Sequence, residues 1–282
     1  MRAFAFIFAL LGMPPTLAMA DADAPLRFAP IPMVDKEHML LAHIGPMRFM
    51  EEKTGRAIKL IHTKDYQTLI DMFRRDEIDL AYIGPVPYVM LRQGFDAATP
   101  LVRFLESDGR DSYTCAFVTF SPSAVDMAAM RGRRLALPDP LSTCGDIGMS
   151  AILGTTGISL METQRSYVGR HNKVAMEVIL GQADAGGMKT SIARQFASLG
   201  LRIIQESPPM PGFVLIANRH TVPDAVSRAL TRAFLELRPG ENAADADRVR
   251  DWGDSIRHGT TPAGNDDFRA LREQWLSFKG GR

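Results

Sequence analysis

Short apolar runs alternate along this chain with stretches in which apolar residues recur every three or four positions. From Leu26 the pattern predicts a strand over 26–32, a helical segment over 36–53, a strand over 58–62, a helix after Asp65, a strand over 79–83 and a helix over 86–92. Gly45-Pro46 interrupts the first helical segment, which predicts a kink or two short helices there. Asp65 is placed to cap the next helix, whose apolar face is Leu69, Ile70, Met72 and Phe73. Strands alternating with helices over short connections point to parallel α/β structure with right-handed crossovers.

The pattern then restarts. It predicts strands over 113–120, 134–137, 183–188 and 201–205, with helices over 124–130, from about Thr143, over 172–180 and over 191–199. Pro208-Pro209-Met210-Pro211 is a rigid linker, followed by a strand over 213–217 and helices over 223–237 and 266–278. No repeat of 20 to 50 residues and no low-complexity tract is present. The expected architecture is α/β with two lobes, each a mixed, mainly parallel sheet flanked by helices. Residues 21–110 and 207–282 would share lobe 1 and residues 111–206 would form lobe 2, with crossovers near 107–112 and 207–212. A cleft between two such lobes suits a small ligand.

The N-terminus adds a compartment. Arg2 precedes an apolar run from Ala3 to Leu11, a Pro14-Pro15 break and the small-residue pattern Ala18-Met19-Ala20. That is the form of a secretory signal peptide over 1–20, cleaved near Ala20, and predicts an exported periplasmic product. No later run is long and apolar enough for a membrane span, and no cysteine follows the cleavage point to carry a lipid. Without Arg2 the chain holds 32 basic and 32 acidic residues, a balance that argues against nucleic acid or an anionic membrane surface as partner. Two cysteines, Cys115 and Cys144, are too few for a disulfide scaffold. If paired they would close a loop worth roughly 3–4 kcal/mol by chain-entropy arithmetic; their spacing leaves open whether the sulfurs meet.

Three stretches carry candidate chemistry. In Leu137-Pro138-Asp139-Pro140-Leu141-Ser142-Thr143-Cys144-Gly145 a strand ends, prolines stiffen a turn, and hydroxyls precede a helix. Free N–H groups and the dipole at a helix start suit an anion, although an ordinary Ser/Thr cap has the same appearance. Tyr82 ends a predicted parallel strand, where ligands sit in open α/β sheets, and Tyr66 follows the second strand; both could equally be core aromatics. His171 opens a helix and could donate to an anion, while Asp184, at a strand start, reads as structural.

Together these stretches resemble the phosphonate/phosphate/phosphite-type substrate-binding proteins of ABC transporters, of the type II periplasmic-binding-protein fold. The matching segments are Gly45-Pro46-Met47, Asp65-Tyr66, Asp79-Leu80-Ala81-Tyr82-Ile83-Gly84-Pro85-Val86-Pro87-Tyr88, Asp139 to Gly145, and His171-Asn172 followed by Gly181-Gln182-Ala183-Asp184-Ala185. They occur in the family's order and cover about residues 26–240. The resemblance implies a periplasmic protein that captures a small oxyanion for an ABC permease, as a monomer, without a cofactor and without catalysis. It gives phosphoryl-binding roles to Ser142, Thr143 and His171 and to backbone amides near Cys144 and Gly145, with Tyr82, Tyr66 and Ser191 around the ligand.

Two departures bear on the ligand. Cys144 stands where the family's loop has a last serine, and a thiol is the weaker donor. Family members that take aminoalkyl phosphonates carry acids where this chain has Thr190-Ser191 and Met210-Pro211-Gly212. The expected ligand is therefore a bare oxyanion or an uncharged alkyl phosphonate. Three other readings use the same residues: presentation of the ligand to a membrane sensor kinase, a thiol enzyme built on Cys144, His171 and Asp184, and copper capture by Met33, His38, Met39, His43, Met47 and Met50.

Overall fold

The computed structural model describes residues 24–121 and 125–280. The expected signal peptide over 1–20 lies outside the described residues, as does the start of the helix expected at 124; residues Met127–Ala129 make a single 3-10 turn.

Lobe 1 opens with β1 (Leu26–Pro30), α1 (Lys36–Thr54), β2 (Ile58–Leu60), α2 (Tyr66–Arg74), β3 (Leu80–Ile83), α3 (Pro85–Arg92) and β4 (Ala98–Phe104). The chain crosses through β5 (Ser112–Tyr113) into β6 (Cys115–Phe120), β7 (Arg134–Leu137), α4 (Asp146–Gly154), β8 (Gln164–Tyr167), α5 (His171–Ile179), β9 (Ala185–Lys189), α6 (Thr190–Gln195) and β10 (Leu201–Glu206). It returns through β11 (Met210–Pro211) to β12 (Val214–Asn218), α7 (Asp224–Glu236), α8 (Ala243–Val249), β13 (Thr260–Pro262) and α9 (Arg269–Gly280). The two crossings pair with each other as an antiparallel β5–β11 ribbon. Among the described residues no helix is long and apolar enough to cross a membrane.

Burial explains the strand order. Every residue of β3 and β12 is buried, and these two lie at the centre of the sheet β13-β4-β12-β3-β1-β2. Every residue of β9 is buried, and it is central in β10-β6-β9-β7-β8. Strands covered on both faces need apolar or small residues throughout, whereas the edges β2, β8, β10 and β13 expose part of each strand. Both sheets are mixed. The β2–β1–β3 and β8–β7–β9 pairings are parallel, and the returning strands pair antiparallel.

The two lobes use one device where their central parallel strands begin. In lobe 1 the Asp79 carboxylate accepts from the backbone N–H (2.7 Å), Nε (2.9 Å) and Nη2 (2.6 Å) of Arg27. In lobe 2 Asp184 accepts from the same three groups of Arg134, at 2.9, 3.3 and 2.9 Å. In each case the aspartate's own N–H returns to the arginine's carbonyl. Asp79 and Asp184 therefore fix strand register and are not part of a reactive centre.

Helix α1 departs from expectation: it runs unbroken through Pro46. Proline removes the N–H that would bond the Ala42 carbonyl, and Gly253 N–H takes that carbonyl at 3.0 Å instead. A Cβ on Gly45 would come within 2.3 Å of the Trp252 ring, so the glycine lets the C-terminal segment lie against the helix. Strands β4, β8 and β13 and helix α8 are additions to the expected pattern. Pro100 disguises β4, and it is tolerated because β4 bulges against β12 there, with Leu215 opposite Val102 and Ile216 opposite Pro100.

Candidate functional site

The segment between β7 and α4 folds into tight turns. Asp139 Oδ1 accepts from Leu141 N–H at 2.8 Å, and its carbonyl accepts from Ser142 N–H at 2.9 Å. Gly145 N–H closes on the Ser142 carbonyl and Gly148 N–H on that of Thr143, each at 2.9 Å. These bonds bury Ser142 and Thr143 and leave the N–H groups of Thr143 and Cys144 without an acceptor among the described residues. Cys144 is bonded to Cys115, so the turn is tied covalently to β6. Helix α4 crosses directly above the bridge, where a Cβ on Gly148 would meet Cys115 at 2.9 Å.

His171, the first residue of α5, faces this turn. Its Nδ1 accepts the backbone N–H of Lys189 at 3.0 Å, and its Nε2 lies 3.4 Å from Ser142 Oγ. Burial, with the neighbouring Lys189 charge adding to it, lowers its pKa to about 3. A neutral ring that accepts at Nδ1 carries its proton on Nε2, so the imidazole is a neutral donor directed at the turn.

Lobe 1 and the crossovers close the other side. Tyr66 begins α2, and its N–H donates to Asp139 Oδ2 at 3.3 Å. Burial, reinforced by the Asp139 carboxylate, pushes its phenol well above the usual range, against a hydrogen bond with Ser142. At the start of α3, Val86 N–H donates to Thr143 Oγ1 at 3.1 Å. The lobes are also joined by His171 N–H to the Met33 carbonyl (2.9 Å) and Asn172 Nδ2 to Asp35 Oδ2 (2.6 Å). Asp35 precedes α1 but makes no side-chain cap to it; its carboxylate is directed across the cleft. Tyr113 and Phe213, from the two crossovers, complete the wall with Lys189. The enclosed cavity measures about 10 Å³, roughly one water in size.

The structure brings together Tyr66, Ser142, Thr143, Cys144 and His171 around this cavity. Gly145 lies just beyond the lining and serves to close the turn. Tyr82 stands apart: its ring stacks on Phe213 at 5.3 Å and its hydroxyl donates to the Ser255 carbonyl, because β3 is covered on both faces. Ser191 borders a separate cleft of about 330 Å³ with Met33, His38, His43 and Asn172. Sequence reasoning missed Lys189, Tyr113 and Phe213. The signal for Lys189 was a lysine at the carboxyl end of a strand of small residues, the position where open α/β sheets bind ligands.

One alternative reading loses its footing. The bridge to Cys115 leaves no free cysteine among the described residues, and Asp184 is held by Arg134, so no thiol–imidazole–carboxylate set is assembled. Met39, His43 and Met50 are buried on α1, and His43 donates from Nδ1 to the Met39 carbonyl at 2.7 Å. Among the described residues no group of three or more His, Cys, Asp or Glu side chains is placed to hold a metal, while Met33, His38, Met39 and His43 border one cleft.

Comparison with known proteins bears on the fold and the family. A relative named as a phosphate-import protein, PhnD, from Mycolicibacterium smegmatis is 22% identical over 272 residues, covering 83% of this chain and 84% of that one. Among solved structures, the binding component of an ABC phosphonate transporter from Pseudomonas aeruginosa superposes with a TM-score of 0.78 at 19% identity, over 91% of this chain and 87% of that one. PhnD1 from Prochlorococcus marinus, solved with methylphosphonate, gives 0.79 at 14% identity, over 92% and 99%. The family profile described as "ABC transporter, phosphonate, periplasmic substrate-binding protein" matches residues 28–268, and the chain belongs to that family.

Proposed function

We propose that the protein captures a small oxyanion of the phosphate, phosphite or phosphonate class in the cavity between its lobes and delivers it to an ABC permease. It would act as a monomer in the periplasm, after removal of residues 1–20. One juxtaposition carries the reading: His171, Ser142, Thr143 and Cys144 line one small space ahead of α4, where a neutral imidazole, two hydroxyls and two backbone N–H groups would supply the donors. Hydrogen bonds to a charged group contribute about 1.5–3 kcal/mol each, so a handful give tight capture. The names of the relatives, one for phosphate import and one solved with methylphosphonate, support the same chemical class. The cavity as it stands is about one water in size, so the lobes would have to part to admit the anion.

A thermal-shift and calorimetric screen of phosphate, phosphite, methylphosphonate and 2-aminoethylphosphonate tests this. A ligand at about 100 times its Kd should raise stability by roughly 2.7 kcal/mol. The aminophosphonate should bind at least about tenfold more weakly than methylphosphonate, because its ammonium would approach Lys189 and no carboxylate lines the cavity. If none of the first three anions binds, the reading fails.

A further inference from the structure

Lys189 is the charged member of the cavity wall. It ends β9 with 1% of its surface exposed, and its Nζ lies 2.6 Å from Glu106 Oε1. An ammonium has three N–H donors. Among the described residues Glu106 is the one acceptor they meet, and the ammonium otherwise rests 5.1 Å from the ring centre of Tyr113 and 5.0 Å from that of Phe213. Aromatic faces attract a cation but are weak hydrogen-bond acceptors. A buried lysine with donors left over is costly unless something further satisfies them. Both rings and Lys189 itself line the cavity together with Ser142, Thr143 and His171. No carboxylate is in that lining, so nothing there is an obligate acceptor for a proton carried on an anion.

We propose that Lys189 contacts the ligand and selects the fully ionised, dianionic form of a phosphoryl oxyanion over monoanions. This rests on the cavity being the anion site. A second negative charge gains directly from the ammonium, whereas a P–OH group would turn its proton toward donors. Glu106 keeps the wall neutral without ligand, and the arriving anion supplies the acceptors that Glu106 cannot.

The titratable groups bordering the spaces that Lys189 lines are Glu106, Tyr113, His171 and Tyr66, with His38, His43 and Asp254 on the wider cleft. Burial holds His171 and His43 neutral, with pKa values of about 3 and about 4, and holds both tyrosines above their ordinary range.

The test is calorimetry on the full chain with methylphosphonate and methanesulfonate at about pH 5.5 and about pH 8.5. The interval spans the second ionisation of phosphoryl groups, about pH 6 in phosphate esters. Methanesulfonate is a monoanion throughout, so its affinity reports any titration of the protein itself. Methylphosphonate should bind at least about tenfold more tightly at the higher pH, and methanesulfonate more weakly and equally at both. Lys189→Met combined with Glu106→Gln removes the pair without stranding a buried charge; in it the methylphosphonate pH response should vanish and its high-pH affinity fall at least about tenfold. Equal pH responses of the two anions in the unmodified protein overturn the proposal, and that comparison needs no variant. A folded double variant that keeps the wild-type response overturns it too. If methylphosphonate does not bind, phosphate or phosphite takes its place in the same comparison, and binding of none of the three overturns the anion-site reading and this inference with it.

Discussion

The backbone N–H of Lys189 donates to His171 Nδ1 across 3.0 Å, and through that bond the end of β9 sets which imidazole nitrogen carries the proton. The ring is thereby a donor at Nε2 without being charged. Removing it should cost one bond to the anion, about 1.5–3 kcal/mol, or roughly ten- to a hundredfold in Kd. His171→Ala should show this loss by calorimetry with phosphate or methylphosphonate, while His171→Gln, which keeps an amide donor, should recover part of it. An unchanged Kd in a folded His171→Ala protein would remove the ring from the site.

The buried imidazoles also make stability depend on pH. His171 falls to about 3 and His43 to about 4, in both cases chiefly through burial. Their folded pKa values lie below the unfolded one, so the unfolded chain binds more protons between the two and stability falls as pH drops. The contribution is intact above about pH 6.5 and is lost from there down to about pH 4 for His43 and about pH 3 for His171, with a slope approaching about 1.4 kcal/mol per unit for each ring. Urea unfolding at neutral pH and near pH 5 should resolve it, and His43→Gln should reduce the difference. The same difference in wild type and variant would contradict the assignment.

Cys115–Cys144 ties the binding turn to β6 across 29 residues of chain. Chain-entropy arithmetic puts its contribution at roughly 3–4 kcal/mol. For a protein of this size that is a fall in Tm on the order of 10 °C on reduction or in a Cys115→Ala, Cys144→Ala double variant. Because Cys144 supplies one of the unsatisfied amides, affinity for the anion should fall as well, measured well below the new Tm. A protein whose Tm and Kd ignore reductant would show that the turn holds itself.

Much of this was legible where one physical cause acts alone. The runs that became β3 and β12 are apolar throughout because both faces are covered, and no other structure suits so short a run between turns. A turn at 139–145 ahead of a helix was legible from its prolines and hydroxyls, although a helix cap has the same appearance. What failed depended on a remote partner. Pro46 does not break α1, because Gly253 takes the carbonyl it frees. Tyr82 sits at a strand end yet is sealed behind Phe213, which arrives from the second crossover. Lys189 could be placed at a strand end but not its partners, since Glu106, Tyr113 and Phe213 come from two distant crossings that meet only in the fold.

The matched pairs Arg27–Asp79 and Arg134–Asp184 allow a comparison in which chemistry is constant and burial differs. Asp79 is 6% exposed and Arg27 33%, against 20% and 50% for Asp184 and Arg134. Burial alone would raise the Asp79 pKa, but three bonds from Arg27 and the arginine's charge outweigh it and hold the carboxylate low. Asp79→Ala strands one backbone and two guanidinium donors of Arg27 at the half-buried start of β1, which should cost about 2–4 kcal/mol. Asp184→Ala exposes its donors to water and should cost about 1 kcal/mol or less. Chemical denaturation of the two variants decides the matter. Equal losses would mean that the bonds to the strand amides, which both sites share, matter more than burial does.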